Sequence, residues 1–243
     1  MAESFARLKE SFIFNFIEGA RWKYITNGLL VTLKVTFFAL LLGLVIGVVV
    51  AMIRSSYDKT YEEMRPGLGK TLLGLLNAVA RLYLTVIRGT PVVVQLLIGY
   101  FVIFVSTTNT VFVASMVFGI NSGAYITEII RGGIMSVDRG QLEAGRSLGF
   151  NYVQTMRHII IPQAMKSVLP ALANEFIVLL KETSVSGYVA VMDLTYAGNR
   201  IRGATYSAFM PLIAVAIIYL VVVVGLTKLV GCLERRLRQS DGR

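Results

Sequence analysis

Residues 28–53 read GLLVTLKVTFFALLLGLVIGVVVAMI, and Lys34 is the single charged residue among them. A helix that crosses the hydrocarbon core of a bilayer needs about 20 consecutive, mostly apolar residues. This stretch is long enough to cross, and residues 89–127 and 204–227 contain no charged residue at all. The sequence therefore predicts an integral membrane protein with several spans in one bundle.

The overall composition indicates the same class. Of the 243 residues, 55% are hydrophobic, and the mean hydropathy of +0.68 is above what a soluble domain of this size usually reaches. The net charge of +10 would favour nucleic-acid binding in a soluble chain. Membrane proteins instead collect basic residues in their cytoplasmic loops, so we exclude nucleic acid as a partner. A single histidine, His158, and a single cysteine, Cys232, predict neither a metal centre nor an internal disulfide.

The apolar runs predict an all-α protein with five membrane-spanning helices. In chain order, the predicted spans cover about residues 25–53, 77–105, 110–133, 166–191 and 205–231. Thr90-Pro91 is expected to break the second span, because proline removes a backbone hydrogen bond from a helix. The segment 4–18 places Phe5, Leu8, Phe12 and Phe16 at helical spacing, which predicts an amphipathic helix on the membrane surface.

The distribution of basic residues predicts the orientation. The turn at 106–109 has none, whereas the loops 54–81 and 131–166 and the C-terminal tail contain Arg54, Lys59, Arg65, Lys70, Arg81, Arg131, Arg139, Arg146, Arg157, Lys166, Arg235, Arg236, Arg238 and Arg243. The positive-inside rule places these segments and the C-terminus in the cytoplasm and the N-terminus outside. Basic residues near the N-terminus, and at positions 200 and 202 in the predicted loop before the last span, oppose this orientation. We expect the two long loops to decide it.

A polar segment between the third and fourth spans has the signals of two short helices. Asp138 and Asn151 are each followed three residues later by glutamine, a helix-capping pattern. Gly149 is expected to end the first helix in a left-handed conformation, and Pro162 to stop the second. An ordinary solvated loop is one interpretation. A docking surface for a soluble partner explains the paired caps and the exposed apolar residues better.

The same segment resembles the EAA loop of bacterial ABC importer permeases. In that family Glu-Ala-Ala is followed after three residues by Gly and after nine more by Ile-x-Leu-Pro. Here Glu143-Ala144-Gly145, Gly149 and Ile159-x-Ile161-Pro162 keep this spacing. Gly145 and Ile161 depart from the pattern. We expect a Gly145→Ala change to leave the function of the loop intact or to improve it.

Three further motifs resemble the polar amino-acid branch of this family. They are RGTPVVVQ (88–95), AYITEIIRGGI (124–134) and NEFIVLLKETS (174–184). The resemblance implies the type I importer permease fold, with an interfacial segment at 1–24, a permease domain at 25–235 and a cytoplasmic tail at 236–243. It also implies that the chain is the transmembrane subunit of an ATP-driven importer in the bacterial cytoplasmic membrane, moving a polar amino acid by alternating access.

The resemblance also implies partners. It predicts two ATPase subunits, a second permease subunit, either identical or homologous, and an extracytoplasmic substrate-binding protein. In the family the EAA loop (here 138–165) docks into the ATPase, so the residues implied to couple are Glu143, Ala144, Gly145, Arg146, Gly149 and Pro162. No cofactor is expected in this chain, because ATP-Mg would be bound by the partner ATPase.

Charged residues inside spans are costly and are functional candidates. Lys181 and Glu182, with the hydroxyl of Ser184 nearby, offer groups for both the carboxylate and the ammonium of an amino acid. An internal ion pair that locks two spans together is the alternative. The family resemblance adds Thr90 and Gln95 of the second span to this predicted substrate pathway.

Other interpretations remain open at this point. Gly67-Leu-Gly-Lys-Thr71 ends like a phosphate-binding loop, but Met64 stands where its first glycine belongs and no strand precedes it. We therefore expect no ATP site and no enzymatic activity in this chain. A self-contained secondary transporter or channel and a membrane scaffold are the alternative functions. The identity of the amino acid, and whether Glu128 and Arg131 form a structural pair or a gate, also stay open.

Overall fold

The computed structural model describes residues 2–239 of the chain and the side chains of residues 6–236. All regular structure in this range is helical, as the sequence predicts. The α-helices are α1 (Ala2–Phe12), α2 (Trp22–Thr60), α3 (Leu68–Gly89), α4 (Val92–Ile98), α5 (Thr110–Met135), α6 (Arg139–Ser147), α7 (Tyr152–Thr155), α8 (Ile161–Glu182), α9 (Leu194–Thr205) and α10 (Phe209–Gln239). The π-helical turns are Ile13–Ile17, Gly99–Ile103 and Met156–Ile160, and the 3₁₀ segments are Glu18–Ala20 and Thr183–Val189. Of the predicted tail, residues 240–243 lie outside the described range.

In the described part of the chain, four helices are long and apolar enough to cross a membrane, namely α2, α3, α5 and the part Phe209–Arg236 of α10. They correspond to the first, second, third and fifth predicted spans. The fourth predicted span corresponds to α8, which has 22 residues and is less apolar because it contains four charged side chains, Lys166, Glu175, Lys181 and Glu182. The crossing of the membrane by α8 therefore stays a prediction.

The second predicted span, including its predicted break, corresponds to α3, α4 and the π-helical turn Gly99–Ile103. The helix α3 begins at Leu68, well before the predicted start at residue 77, and ends at Gly89. Thr90 adopts an extended conformation (φ −123°, ψ 146°). The ring of Pro91 explains this, because the residue before a proline is pushed out of the α region. The predicted break at Thr90-Pro91 therefore separates two helices, α3 and α4.

The helices form two compact units. The first contains residues 2–39, Val92–Phe118 and Ile177–Thr227. Its core is an apolar cluster of Phe16, Ile25, Leu194, Ala197, Ile201 and Val215. The predicted amphipathic helix forms as α1 and its π-helical turn, and its end is tied into this unit: buried Asn15 accepts a hydrogen bond from Thr205 Oγ1 at 2.8 Å. The predicted loop before the last span instead contains α9, which buries Leu194 and Ile201 in the cluster.

The second unit contains Leu40–Pro91, Gly119–Phe176 and residues 228–239. Within it α2 and α5 approach closely through glycines. A Cβ atom at Gly47 would lie 2.4 Å from Cγ2 of Ile126, and one at Gly119 would lie 2.8 Å from Cδ2 of Leu42. Small residues are the usual means by which membrane helices bring their backbones into contact. This packing holds α5, the helix that leads into the EAA segment, against α2.

Candidate coupling segment and substrate site

The first helix of the EAA segment, α6, is capped at both ends as the sequence predicts. The Asp138 carboxylate accepts a hydrogen bond from the backbone N–H of Gly140 at 2.7 Å. At the other end Gly149 is left-handed (φ 85°). The N–H of Phe150 donates to the carbonyl of Gly145 at 3.1 Å, and the N–H of Gly149 donates to that of Arg146 at 2.9 Å. This is a Schellman motif, which turns the chain sharply between α6 and α7.

The second helix, α7, begins with a complete capping box. The Asn151 side chain accepts from the Gln154 N–H at 2.9 Å, and the Gln154 side chain accepts from the Asn151 N–H at 2.9 Å. Both predicted caps of the segment are therefore confirmed. Such reciprocal bonds satisfy donors that a helix start leaves open, so they define where α7 begins even though α7 is very short.

The prediction that Pro162 stops the second helix was wrong. Helical structure runs from Tyr152 through the π-helical turn Met156–Ile160 into α8, and Pro162 lies in the first turn of α8. A proline ring collides with the carbonyl four residues earlier and lacks an N–H. The wider π-helical turn precedes the proline and ends with the Ile161 N–H donating to the Met156 carbonyl. The change from π to α geometry explains how the chain continues through Pro162.

Most of the predicted coupling residues are exposed. Glu143, Ala144, Arg146, Gly149 and Pro162 all face solvent in the second unit. Two large apolar side chains accompany them, since Leu148 is 74% exposed and Val153 is 69% exposed. Exposed apolar residues beside charged ones are typical of a protein-docking surface.

Gly145 differs from the other predicted coupling residues, because it is buried on the side of α6 that faces the following helical stretch. A Cβ atom at Gly145 would lie 2.6 Å from Cγ2 and 2.9 Å from Oγ1 of Thr155, and 3.1 Å from Cδ1 of Ile159. Thr155 is fully buried, and its hydroxyl donates to the Asn151 carbonyl at 3.0 Å. The expectation that alanine is harmless at this position does not fit this geometry.

Four of the five predicted substrate-pathway residues lie in the first unit. Gln95 is half-buried in α4, which packs against the 3₁₀ segment that contains half-buried Ser184. Lys181 is exposed and Glu182 half-buried in the last turn of α8. Among the residues that the structure describes, neither charge forms a salt bridge, so the alternative interpretation, an ion pair that locks two spans together, is not observed.

Thr90 belongs to the second unit. It is exposed between α3 and α4, and its hydroxyl donates to the Val86 carbonyl at 2.8 Å. This bond satisfies the last turn of α3 beside the break at Pro91. The local geometry therefore gives Thr90 a capping role in addition to its predicted place in the pathway.

Glu128 and Arg131 form the predicted pair, with Oε1 and Nη1 3.6 Å apart. The pair belongs to a longer chain of charges: Arg131 also binds Asp58 at 2.7 Å, and Glu128 approaches Arg88 at 3.7 Å. These contacts join α2, α3 and α5 within the second unit. Sequence reasoning missed the outer members because their spacing along the chain carries no signal for long-range pairing.

Asp193 is a further polar residue that sequence reasoning missed. It lies between α8 and α9, and its Oδ1 accepts from the Tyr196 N–H at 2.8 Å, which caps α9. Its Oδ2 is buried without a hydrogen-bond partner among the described residues. Burial raises the pKa of Asp193 to about 6, against the opposing effect of the backbone hydrogen bonds. The site is polar and buried, and its protonation state depends on pH.

The described residues contain no group of three or more histidine, cysteine, aspartate or glutamate side chains that could hold a metal ion. The lysine of the Gly69-Lys70-Thr71 sequence, which ends like a phosphate-binding loop, contacts other residues of the second unit. The Lys70 ammonium donates to the Met64 carbonyl at 3.2 Å and lies 4.9 Å from the ring centre of Tyr61. This lysine is engaged with its own loop.

Comparison with known proteins gives consistent matches over most of the chain. The family model described as "Binding-protein-dependent transport system inner membrane component" matches residues 69–239. The chain is 35% identical over 217 residues to the putative glutamine transport system permease protein GlnP of Rickettsia bellii (strain RML369-C), which covers 88% of this chain and 93% of that protein. It is 34% identical over 221 residues to the arginine transport system permease protein ArtQ of Bacillus subtilis (strain 168), covering 90% and 94%.

A solved structure agrees with these sequence matches. The chain superposes on a chain of the crystal structure of an amino acid ABC transporter with histidines, with a TM-score of 0.79 and 38% sequence identity. The match covers 91% of this chain and 98% of that chain. The two sequence matches and the structural match therefore each cover nearly the whole length of the related chain.

Proposed function

The chain belongs to the binding-protein-dependent transport system inner membrane component family, and from that premise we propose that it imports a polar amino acid through the residues described above. It is an all-helical, multi-pass permease subunit of an amino-acid ABC transporter, and it is not an enzyme. Energy for import then comes from ATP-Mg bound by a separate ATPase subunit. The proposal below concerns how this chain couples to that subunit and what it carries.

The exposed, doubly capped pair α6–α7 carries the proposal for coupling. Two short helices with fixed ends form a rigid projection, and Leu148 and Val153 give it an apolar contact surface. Glu143 and Arg146 add charges of both signs to the same surface. An ATPase subunit that binds this surface can pull on α5 and α8, because α6 follows α5 closely and α7 continues into α8.

This coupling implies that the EAA segment, the segment 54–81 and the C-terminus lie on the cytoplasmic side, and the N-terminus outside. The basic residues in these three segments support the orientation. The complete importer would contain two ATPase subunits, a second permease subunit, identical or homologous, and an extracytoplasmic substrate-binding protein. In this arrangement the segments 1–24, 25–235 and 236–243 act as interfacial segment, permease domain and cytoplasmic tail.

The charges at the end of α8 support a polar amino acid without net positive charge as the substrate. Lys181 and Glu182 offer a cation and an anion in adjacent positions, and neither is committed to a salt bridge among the described residues. Gln95 and Ser184 supply an amide and a hydroxyl from packed segments of the same unit. Because Lys181 repels a cationic side chain, glutamine, named for the Rickettsia bellii relative, fits better than arginine, named for the Bacillus subtilis relative.

A substrate screen tests this proposal. The chain would be co-purified with its ATPase and its binding protein and reconstituted in vesicles, and ATP hydrolysis would be measured with each amino acid in turn. We expect glutamine or another polar amino acid without net positive charge to stimulate hydrolysis most. Stimulation by arginine or lysine alone would contradict the proposed role of Lys181, and hydrolysis that no amino acid changes would contradict the proposed substrate class.

A further inference from the structure

A cavity of about 640 Å³ lies in the second unit beside the coupling helix α6. Its wall is formed by the ends of α2 and α5 and by α6. Its basic lining residues are Lys59, Arg131, Arg139 and Arg146. Two lining residues, Glu143 and Arg146, also belong to the predicted coupling surface, whereas none belongs to the predicted substrate pathway.

Some charged groups of the cavity already have partners. Arg131 binds Asp58 at 2.7 Å, and the Asp138 carboxylate caps α6. Lys59, Arg139 and Arg146 form no salt bridge with any side chain in the described part of the chain. The three cations nevertheless lie together, because all of them line this one cavity.

Four acidic residues also line the cavity, Asp58, Glu63, Asp138 and Glu143, and they equal the basic lining residues in number. None of them forms a salt bridge with Lys59, Arg139 or Arg146 in the described part of the chain. An anion can therefore approach these three cations without displacing an existing salt bridge. A bound anion would relieve the mutual repulsion of these side chains and gain up to three charge-assisted contacts.

The cavity also has an apolar part, to which Ile134, Met135 and Leu142 contribute. Met135 is 73% exposed, so an apolar surface lies open beside the cations. A small hydrophilic anion leaves that surface uncovered, whereas a ligand with an anionic head and an apolar tail covers both parts. The combination is typical of basic pockets that bind the head groups of anionic lipids on the cytoplasmic side of membrane proteins.

The position of Lys59 along the membrane normal is suitable for contact with a lipid head group. The apolar run of α2 ends at Ile53, and a rise of 1.5 Å per residue places Lys59 about 9 Å further along the helix axis. The head-group layer extends roughly 5–8 Å beyond the hydrocarbon core on each side of a bilayer. The ammonium at the end of a flexible side chain is thus within reach of lipid phosphates.

We infer that Lys59, Arg139 and Arg146 form a binding site for the phosphate head group of an anionic phospholipid, beside the coupling helix. The inference rests on the proposed cytoplasmic placement of this segment. A lipid held by α2 and α6 together would connect the end of a membrane span to the projection that docks the ATPase. Anionic lipid would then stabilise one position of α6 relative to α2.

Native mass spectrometry of the purified full chain tests the site without any partner subunit. The probes are phosphatidylglycerol and phosphatidylcholine with identical acyl chains, and inorganic phosphate serves as a competitor. The test variant is K59Q/R139Q/R146Q, and the control K9Q/R65Q/R202Q removes three exposed cations that lie outside the cavity. Gel filtration verifies that both variants are monodisperse. The variant K59R keeps the positive charge but changes the shape of the side chain, so it tests whether altered packing at residue 59 alone weakens lipid binding.

We expect the unmodified chain and K59R to prefer phosphatidylglycerol. Each basic residue near an anionic surface contributes about a fivefold change in affinity, so the cavity variant should bind phosphatidylglycerol on the order of 100-fold more weakly. The control should retain the affinity of the unmodified chain.

Four results would overturn the inference. The first is equal affinity for the two lipids, and the second is an equal loss in the control variant. The third is complete displacement of phosphatidylglycerol by millimolar inorganic phosphate, which would assign the site to a free anion. Unchanged lipid affinity together with loss of ATPase co-purification in the cavity variant would also refute it, and would assign the cations to an acidic surface of the ATPase. Because lipid binding is measured on the chain alone, its failure is distinguishable from failure of the proposed import function.

Discussion

Gly145 provides the sharpest perturbation of the coupling segment. A Cβ atom there would approach Cγ2 of Thr155 to 2.6 Å, whereas ordinary contacts of a Cβ atom lie at 3.4–4 Å. Thr155 has little freedom to move away, because it is fully buried and its hydroxyl is bonded to the Asn151 carbonyl. We therefore expect Gly145→Ala to separate α6 from the stretch 155–159.

The magnitude follows from two opposing effects. Overpacking a close contact costs about 1–3 kcal/mol, and replacing glycine by alanine within a helix returns up to about 1 kcal/mol. The net result is a destabilisation of the α6–α7 pair by up to about 2 kcal/mol. The second variant, Thr155→Ala, removes both of the closest atoms and also one buried hydrogen bond, so it should cost about 1 kcal/mol alone. The double variant should be more stable than the sum of the two single losses predicts, by about 1 kcal/mol.

Hydrogen exchange of residues 139–160 in the assembled importer measures this stability, and the uptake per ATP hydrolysed measures coupling. We expect faster exchange and weaker coupling in Gly145→Ala, with partial recovery of both in the double variant. Strictly additive losses would refute the contact between Gly145 and Thr155 as the cause. Unchanged exchange and coupling in Gly145→Ala would refute the reasoning altogether.

Three further predictions concern other parts of the chain. Burial raises the pKa of Asp193 to about 6 from an ordinary value near 4, so the folded chain holds a proton at this site more tightly than the unfolded chain does. The free energy of unfolding should therefore fall as the pH rises from about 4 to 6. The unfolding temperature of Asp193→Asn should lack this dependence and should be higher than that of the wild type above pH 6, with Asp138→Asn at an exposed helix cap as the control. Glu182→Ala should impair amino-acid uptake in vesicles while the ATPase still co-purifies, and unchanged uptake would remove Glu182 from the substrate pathway. Arg131→Gln should lower the free energy of unfolding by about 1 kcal/mol, and not more, because Asp58 is 38% exposed and solvent screens its attraction to Arg131. A double variant with Asp58→Asn should recover part of that loss, and no recovery would argue against the pair.

The spans and caps were predictable from sequence because each depends on local chemistry. Long apolar runs identify α2, α5 and α10 whatever they pack against. The caps at Asp138 and Asn151 and the left-handed Gly149 depend only on side chains within a few residues. Pro91 likewise acts on its immediate neighbour, so its position as a helix break was predictable.

The incorrect predictions concern features whose structure depends on packing against distant residues or on the helix that precedes them. α9 is amphipathic and shorter than a span, and it is stabilised by packing its apolar face against Phe16 and Ile25. Pro162 is tolerated because a π-helical turn precedes it. The clash at Gly145 depends on Thr155, which approaches only after the chain reverses at Gly149. The cavity at Lys59 likewise assembles residues far apart in sequence, for which no spacing rule exists.

We propose that this permease moves its substrate by the energy of a partner ATPase that docks on α6–α7. Amino-acid uptake can be measured in vesicles that contain the chain, its ATPase and its binding protein, with ATP supplied or withheld and with ion gradients imposed or dissipated. We expect uptake that requires ATP, persists without a gradient and is lost when Leu148 and Val153 of the proposed docking surface are replaced by aspartate. Gradient-driven uptake by the chain alone, without ATP or ATPase, would contradict it.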